Sequence, residues 1–391
     1  MKIIRAIWKF RNYCYIRRNS KESRTDARHS LLQVRLPPNL FIYCALAAHA
    51  VKVVAKLKFR NYFYTGECMS ENKILSAQNL YKTFSLEAGF FAKKNQNVYA
   101  VNDVSFDLAR GETLGLVGES GCGKTTTARL LVRMYEATSG KIFYYGSDEK
   151  KDGEEIGTFS KARLKEYRQK VKYIFQDPSR SLNPRMNVLS ILTDAFKSEK
   201  KSKDEVFALA SKTIQEVGLS ENDLHRHPSE FSGGQRQRIS IARGLIMNPE
   251  VLICDEVVSA LDVSIQGQIL KLLCDLRQKK NLSFVFITHD LKVACWFCDT
   301  IAVMYRGVVV EQAPAQDLFK TAKHPYTKLL FAGAMSEGKK EKSSLEVKTT
   351  LQKENSCPFA HRCPMAQEKC FSEMPQFHDA GDSQKVRCFF V

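Results

Sequence analysis

The chain has 391 residues, 44% hydrophobic and 26% charged, which suits a soluble globular protein with two or three domains and a well-buried core. Its formal charge of +18 is uneven: residues 1–68 carry 14 Lys/Arg against 3 Asp/Glu, leaving a mildly basic body, which weakens the argument for a nucleic-acid footprint over the whole protein. Twelve irregularly placed cysteines in so long a chain exclude a small disulfide scaffold, and no signal peptide opens it.

In chain order, residues 1–68 stand apart. "WKFRNYCY" (8–15) and "LKFRNYFY" (57–64) nearly repeat each other, but two copies make no stacked array. The apolar stretch 39–57 is broken by His49, Lys52 and Lys56 and is too short to cross a bilayer comfortably. The segment reads as a poorly ordered or non-native extension, with a basic, aromatic-rich membrane-surface anchor as the rival reading. Compact domain sequence begins at Met69.

From about 74 to 312, strand-like apolar runs alternate with helical patterns, the mark of a mixed α/β domain. "ETLGLVG" (112–118) reads as a strand entering a Gly-rich turn, and "EVLICDE" (250–256) and "LSFVFITHD" (282–290) as buried parallel strands. Ile265, Ile269, Leu272, Leu273 and Leu276 recur at helical spacing between them. "TIAVMYRGVVVEQ" (300–312) predicts a hairpin turning at Arg306–Gly307, and the Lys-rich run 338–355 a linker.

"GESGCGKT" (118–125) fits the phosphate-binding pattern G-x-x-x-x-G-K-[ST] between a predicted strand and a predicted helix. Backbone N–H groups of Gly118, Glu119, Ser120, Gly121, Cys122, Gly123 and the residues up to Thr126 would curl around phosphate oxygens at a helix N-terminus. Lys124 would reach the terminal phosphates and Thr125 would bind Mg²⁺. A nucleotide site also needs acidic groups: Asp255 would orient the Mg²⁺, and Glu256 is placed to act as general base on the attacking water.

"FSGGQRQR" (231–238) resembles the signature motif of ATP-binding-cassette (ABC) ATPases, with Phe231 where Leu is commonest. Ser232, Gly233, Gly234 and Gln235 open a helix whose N–H groups can face a γ-phosphate; in that family it is the one bound by a second subunit. The other family motifs follow in order. "YIFQDP" (173–178) looks like the Q-loop, placing Gln176 near Mg²⁺ and the attacking water. "SALD" (259–262) looks like the D-loop, placing Asp262 near the dimer centre. "ITHD" (287–290) looks like the switch, with His289 contacting the γ-phosphate. Phe84 best matches the adenine-stacking aromatic, with Tyr99 as rival. The resemblance implies ATP and Mg²⁺ as ligands and a fold with a RecA-like core, a helical subdomain and an antiparallel β subdomain. Val257 replaces the family's usual proline, from which slower or unchanged hydrolysis is expected; Gly244 and Gly267 stand where alanine is expected and would loosen their helices slightly.

"IFQDPSRSLNPRM" (174–186), "HPSEFSGGQRQRISIARGL" (227–245) and "KHPYTKLLFAGA" (323–334) resemble the ATPases of oligopeptide/dipeptide importers, over about four-fifths of the chain. The resemblance implies a peripheral subunit on the cytoplasmic face of the cell (inner) membrane. Its implied partners are a second, non-identical ABC ATPase, two permease subunits and an extracytoplasmic peptide-binding protein, with no nucleic acid. It divides the chain into the extension 1–68, an ATPase domain 69–322 and a C-terminal region 323–391. Nickel importers share these motifs, and a soluble ABC ATPase acting on DNA or ribosomes is the alternative from another class. Cys357, Cys363, Cys370 and Cys388 resemble the C-terminal cysteine motif of this branch, in which four thiolates can hold a 4Fe–4S cluster; inert packing of the thiols in a small lobe is the other reading. Either way, this tail is expected to lie well away from the ATP chemistry.

Overall fold

The computed structural model describes residues 72–86, 96–146, 152–197, 199, 201–335, 356–381 and 383–391. The extension 1–68, with its near-repeat and apolar stretch, and the linker 338–355 lie outside the described residues. The chain divides into two units, Met1–Cys68 and Met69–Val391, and every feature below belongs to the second.

Its centre is an eight-stranded sheet. Five strands run parallel through the middle: β3 (Thr113–Val117), β6 (Val171–Ile174), β7 (Val251–Asp255), β8 (Ser283–Thr288) and β9 (Thr300–Tyr305), in the spatial order β9-β3-β8-β7-β6. β3, β7 and β8 are buried at every residue, which is why they appear in sequence as unbroken apolar runs. Alternation still sorts their two faces. Val251, Ile253, Val285 and Ile287 enter one hydrophobic core, and Leu252, Cys254, Phe284 and Phe286 the other.

The first of these cores lies under a second, antiparallel sheet made by β1 (Lys73–Leu86), β2 (Gln96–Ala109), β4 (Ser139–Tyr144) and β5 (Glu154–Glu155), in the order β2-β1-β4-β5. Helix α1 (Lys124–Leu131) contributes Ala128, Leu130 and Leu131 to it. The other core holds the helical subdomain inserted between β6 and β7: α2 (Val188–Thr193), α3 (Lys203–Glu216) and α4 (Gly233–Leu245). α3 and α4 each start in a capping box, Ser202 with Glu205 and Ser232 with Gln235. The predicted helix around 265–276 is α5 (Val263–Lys280), closed by Asn281 in the left-handed conformation after a basic last turn.

The predicted hairpin joins β9 to β10 (Val308–Pro314), turning at Arg306 (φ 45°) and Gly307 (φ 83°), the two positive angles a tight hairpin turn requires. The C-terminal region then returns to this sheet. Its strands β11 (His378–Asp379) and β12 (Lys385–Val386) extend it, Val386 pairing with Glu311 on β10. Arg387, almost fully buried, bridges to Asp103 on β2 at 2.9 Å. No helix among the described residues is long and apolar enough to cross a membrane.

Candidate active site

β3 leads straight into the loop Gly118–Thr125. Gly123 has φ 107°, and a Cβ there would lie 2.3 Å from the Ala100 carbonyl, so only glycine lets the chain turn into α1. The buried Lys124 folds back into the loop, its Nζ donating to the carbonyls of Gly118 (2.8 Å) and Glu119 (2.9 Å). Glu119 and Thr126 are partly buried, Ser120 and Gly121 are exposed, and Cys122 is buried with its Sγ 3.8 Å from Lys124 Nζ.

The parallel register sets the end of β7 beside this loop. Thr125 Oγ1 donates to Asp255 Oδ1 at 3.1 Å, joining the two residues expected to share Mg²⁺. Tyr173, on the neighbouring β6, donates its hydroxyl to Asp255 Oδ2 at 2.5 Å. Burial pushes the Asp255 carboxyl up, and the hydrogen bonds from Tyr173 and Thr125 work against that by favouring the charged form. Tyr173 carries no motif of its own; its signal in the sequence is its place near the end of a strand, just before the glutamine loop.

Glu256 follows with φ 47°, a left-handed angle that non-glycine residues adopt rarely and that is frequent at functional turns. Its N–H donates to Ile287 O at 3.0 Å, and its own carbonyl accepts from Ser259, fixing the turn on both sides. Gln176 Nε2 donates to Glu256 Oε2 at 2.8 Å, and His289 Nδ1 lies 3.6 Å from the same oxygen. Three motifs far apart in sequence thus converge on one carboxylate. Gln176 and the largely exposed His289 both stand at the Glu256 carboxylate, next in sequence to the Asp255 that Thr125 contacts.

The signature segment forms a separate site edge. Among the described residues no hydrogen bond links Ser232–Gln235 to the phosphate loop. Gly234 packs so closely on α5 that a Cβ would fall 2.6 Å from Ile265. Phe231 in place of leucine is buried with the Arg226 guanidinium 4.4 Å above its ring, so the larger side chain is accommodated by a cation–π contact. Asp262 is exposed at the N-cap of α5. Phe84 and Tyr99 sit on paired strands, but Thr83 faces Tyr99 and Phe84 faces Val98, so the two rival aromatics point to opposite sides of the sheet. Phe84 meets Tyr135 edge-on at 5.4 Å.

One expectation is corrected. The cysteine tail does not lie away from the phosphate loop: Arg362, inside "CPFAHRCP", contacts the Glu119 carboxylate with a shortest separation of 3.0 Å. The chain returns there because β12 pairs with β10, next to the strand that flanks β3. Cys357, Cys363, Cys370 and Cys388 line one small, largely apolar cavity with Phe359, Phe389 and Phe390. Burial pushes the Cys357 thiol up to about 11 and raises Cys363 and Cys388 as well. Among the described residues no group of three or more His, Cys, Asp or Glu side chains stands assembled as a metal site.

A strand–loop–helix phosphate cradle, paired strand-end carboxylates and a switch histidine, on a parallel sheet with helical and antiparallel subdomains, define an ABC-type ATPase, which takes ATP and Mg²⁺. The ABC transporter family model matches residues 101–259, and the model for the C-terminal region of oligopeptide/dipeptide transporters matches residues 310–370. The chain belongs to the oligopeptide/dipeptide branch of the ABC transporter ATP-binding subunits. It is 41% identical to a probable peptide ABC transporter ATP-binding protein, y4tS, of Sinorhizobium fredii, over 81% of this chain and 89% of that one. It is 39% identical to the oligopeptide transport ATP-binding protein AppF of Bacillus subtilis, over 82% of this chain and 98% of that one. Among solved structures it is similar to the ATP-binding cassette MJ0796, a dimer in a post-hydrolysis state bound to ADP and Pi, with a TM-score of 0.53 and 25% identity, covering 62% of this chain and 99% of that one. CbiO1 of Clostridium perfringens gives a TM-score of 0.54 at 25% identity, covering 64% of this chain and 92% of that one.

Proposed function

We propose that this chain hydrolyses ATP to power the import of oligopeptides or dipeptides, as a peripheral subunit on the cytoplasmic face of the cell membrane. The observation that carries the chemistry is the convergence of Gln176 and His289 on Glu256, beside the Thr125–Asp255 pair. In this reading Lys124 and the backbone from Gly118 to Thr126 hold the phosphates, and Phe84 stacks on adenine. Thr125, Asp255 and Gln176 hold Mg²⁺, and Glu256 removes the proton from the attacking water.

In this reading Ser232–Gln235 and Asp262 complete a second copy of the site across a dimer interface, which agrees with the capped helix start making no hydrogen bond to the phosphate loop among the described residues. The partner is a second ATPase subunit, the pair sitting on two permease subunits fed by an extracytoplasmic peptide-binding protein. The match to the oligopeptide/dipeptide C-terminal region and the peptide-transport names of the relatives favour peptides over nickel, DNA or ribosomes. Detergent extraction followed by purification on this chain should recover two multi-span permease subunits; recovery only with ribosomes or chromatin would overturn the reading.

We further propose that Cys357, Cys363, Cys370 and Cys388 hold a 4Fe–4S cluster. What supports this is that four cysteines line one mostly apolar cavity; their sulfurs stand too far from a ligand arrangement to form a metal group as they are, so they would have to close in and lose their protons on ligation. Bound there, a cluster would cross-link the segment 357–370 to Cys388. Anaerobic purification should give brown protein with stoichiometric iron and sulfide, whereas colourless, iron-free protein would count against it.

A further inference from the structure

The phosphate loop is held from outside by the C-terminal region. Arg362 forks onto Glu119: Nη1 lies 3.2 Å from Oε1 and 3.0 Å from Oε2, and Nη2 lies 3.2 Å from Oε1. The backbone N–H of the same glutamate donates to the Tyr326 hydroxyl at 3.1 Å. Two side chains from outside the ATPase motifs therefore grip one loop residue, one by its carboxylate and the other by its main chain.

Both partners are braced. Tyr326 is fully buried, its ring 4.5 Å from Tyr305 and 5.4 Å from Phe359. The Arg362 guanidinium lies 5.7 Å from the Tyr305 ring and 5.9 Å from the Phe359 ring, and Nη1 reaches the Tyr305 hydroxyl at 3.4 Å. Tyr305 ends β9, the strand paired with β3, so the brace and the loop rest on adjacent strands.

A carboxylate at the second position of a phosphate loop is a repulsive charge close to anionic oxygens. A guanidinium in fork geometry cancels that charge and fixes its direction, which a lysine would do less well. The Glu119 side chain is 43% exposed and that of Arg362 26%, so water screens the attraction and the effect is moderate.

We propose that Arg362 and Tyr326 are positioning residues through which the C-terminal region sets the ATP affinity of the phosphate loop. The inference rests on the ATPase reading above. Its test uses the full-length protein, with equilibrium binding of Mg·ATP and steady-state hydrolysis measured together. Arg362→Ala should raise Kd and KM for ATP roughly three- to tenfold and leave kcat within about twofold. Adding Glu119→Gln to Arg362→Ala should restore most of that affinity, because the unpaired charge is gone. A merely structural role for Arg362 would give no such rescue. Arg362→Lys should fall between wild type and Arg362→Ala, and Tyr326→Phe should weaken ATP binding roughly twofold with an unchanged fold by circular dichroism. If Arg362→Ala does not fold, the Lys and Phe variants carry the test.

Wild-type affinity in Arg362→Ala, or in both Arg362→Lys and Tyr326→Phe, would overturn the inference alone. So would a loss in Arg362→Ala that Glu119→Gln does not relieve. Wild-type protein that binds no ATP would overturn the ATPase reading and this inference together.

Discussion

Gln176 Nε2 donates to Glu256 Oε2 at 2.8 Å, joining the loop after β6 to the turn after β7. Because β6 and β7 are parallel neighbours, their C-terminal ends emerge side by side, and a residue just beyond one can reach a residue just beyond the other. The bond ties the carboxylate of the expected general base to the loop after β6.

Removing only the base should separate binding from chemistry. Glu256→Gln keeps the size of the side chain and loses the proton acceptor, so hydrolysis should fall by roughly 10²- to 10⁴-fold while ATP binding persists and a dimer accumulates. Steady-state phosphate release, nucleotide binding and size-exclusion chromatography check this; wild-type turnover would end the assignment.

Tyr173 anchors Asp255 through its hydroxyl without being an expected phosphate contact. Tyr173→Phe should leave the strand in place and loosen the aspartate, raising the Mg²⁺ concentration for half-maximal hydrolysis roughly two- to tenfold. A Mg²⁺ titration at saturating ATP measures it, and an unchanged curve would mean that Thr125 alone orients Asp255.

His324 is buried, and its Nδ1 accepts the Tyr326 N–H at 3.1 Å, so the neutral ring is the one that fits. Burial first, then Lys328, lowers its pKa to about 4 from an ordinary 6.5. The unfolded chain therefore binds the extra proton first as pH falls, and stability should drop between about pH 6.5 and 4, by up to about 3 kcal/mol from this group. Chemical denaturation at several pH values should show a shallower acid loss in His324→Asn. That difference isolates the histidine from Glu311, whose carboxyl burial pushes up and whose linkage has the opposite sign.

Gly267 and Gly244 both lie inside helices, but their surroundings differ. A Cβ at Gly267 meets nothing within 4 Å, whereas one at Gly244 would touch Ile174 at 3.4 Å and Leu252 at 3.5 Å. Gly267→Ala should therefore stabilise the protein by about 0.5–1 kcal/mol, and Gly244→Ala should give less because the methyl must be fitted into a packed core. Denaturant midpoints of the two variants test the order.

Features that live in short segments can be read from the sequence alone. The phosphate loop is legible because glycines at fixed spacing leave few alternatives, and the buried parallel strands because they have no polar face to show. The turn is legible at Gly307, the residue type that takes a positive φ without strain, whereas the positive angle of Arg306 is imposed by the hairpin. Tertiary structure decided which distant residues meet. Tyr173 reaches Asp255 through the register of two parallel strands, and Phe84 and Tyr99 are separated by the pleat of one sheet. Arg362 reaches Glu119 across 243 positions because a two-residue strand near the end of the chain pairs with β10. A side chain's local pattern can show that it is special, but contacts of that range are set by strand order and packing, which no short segment encodes.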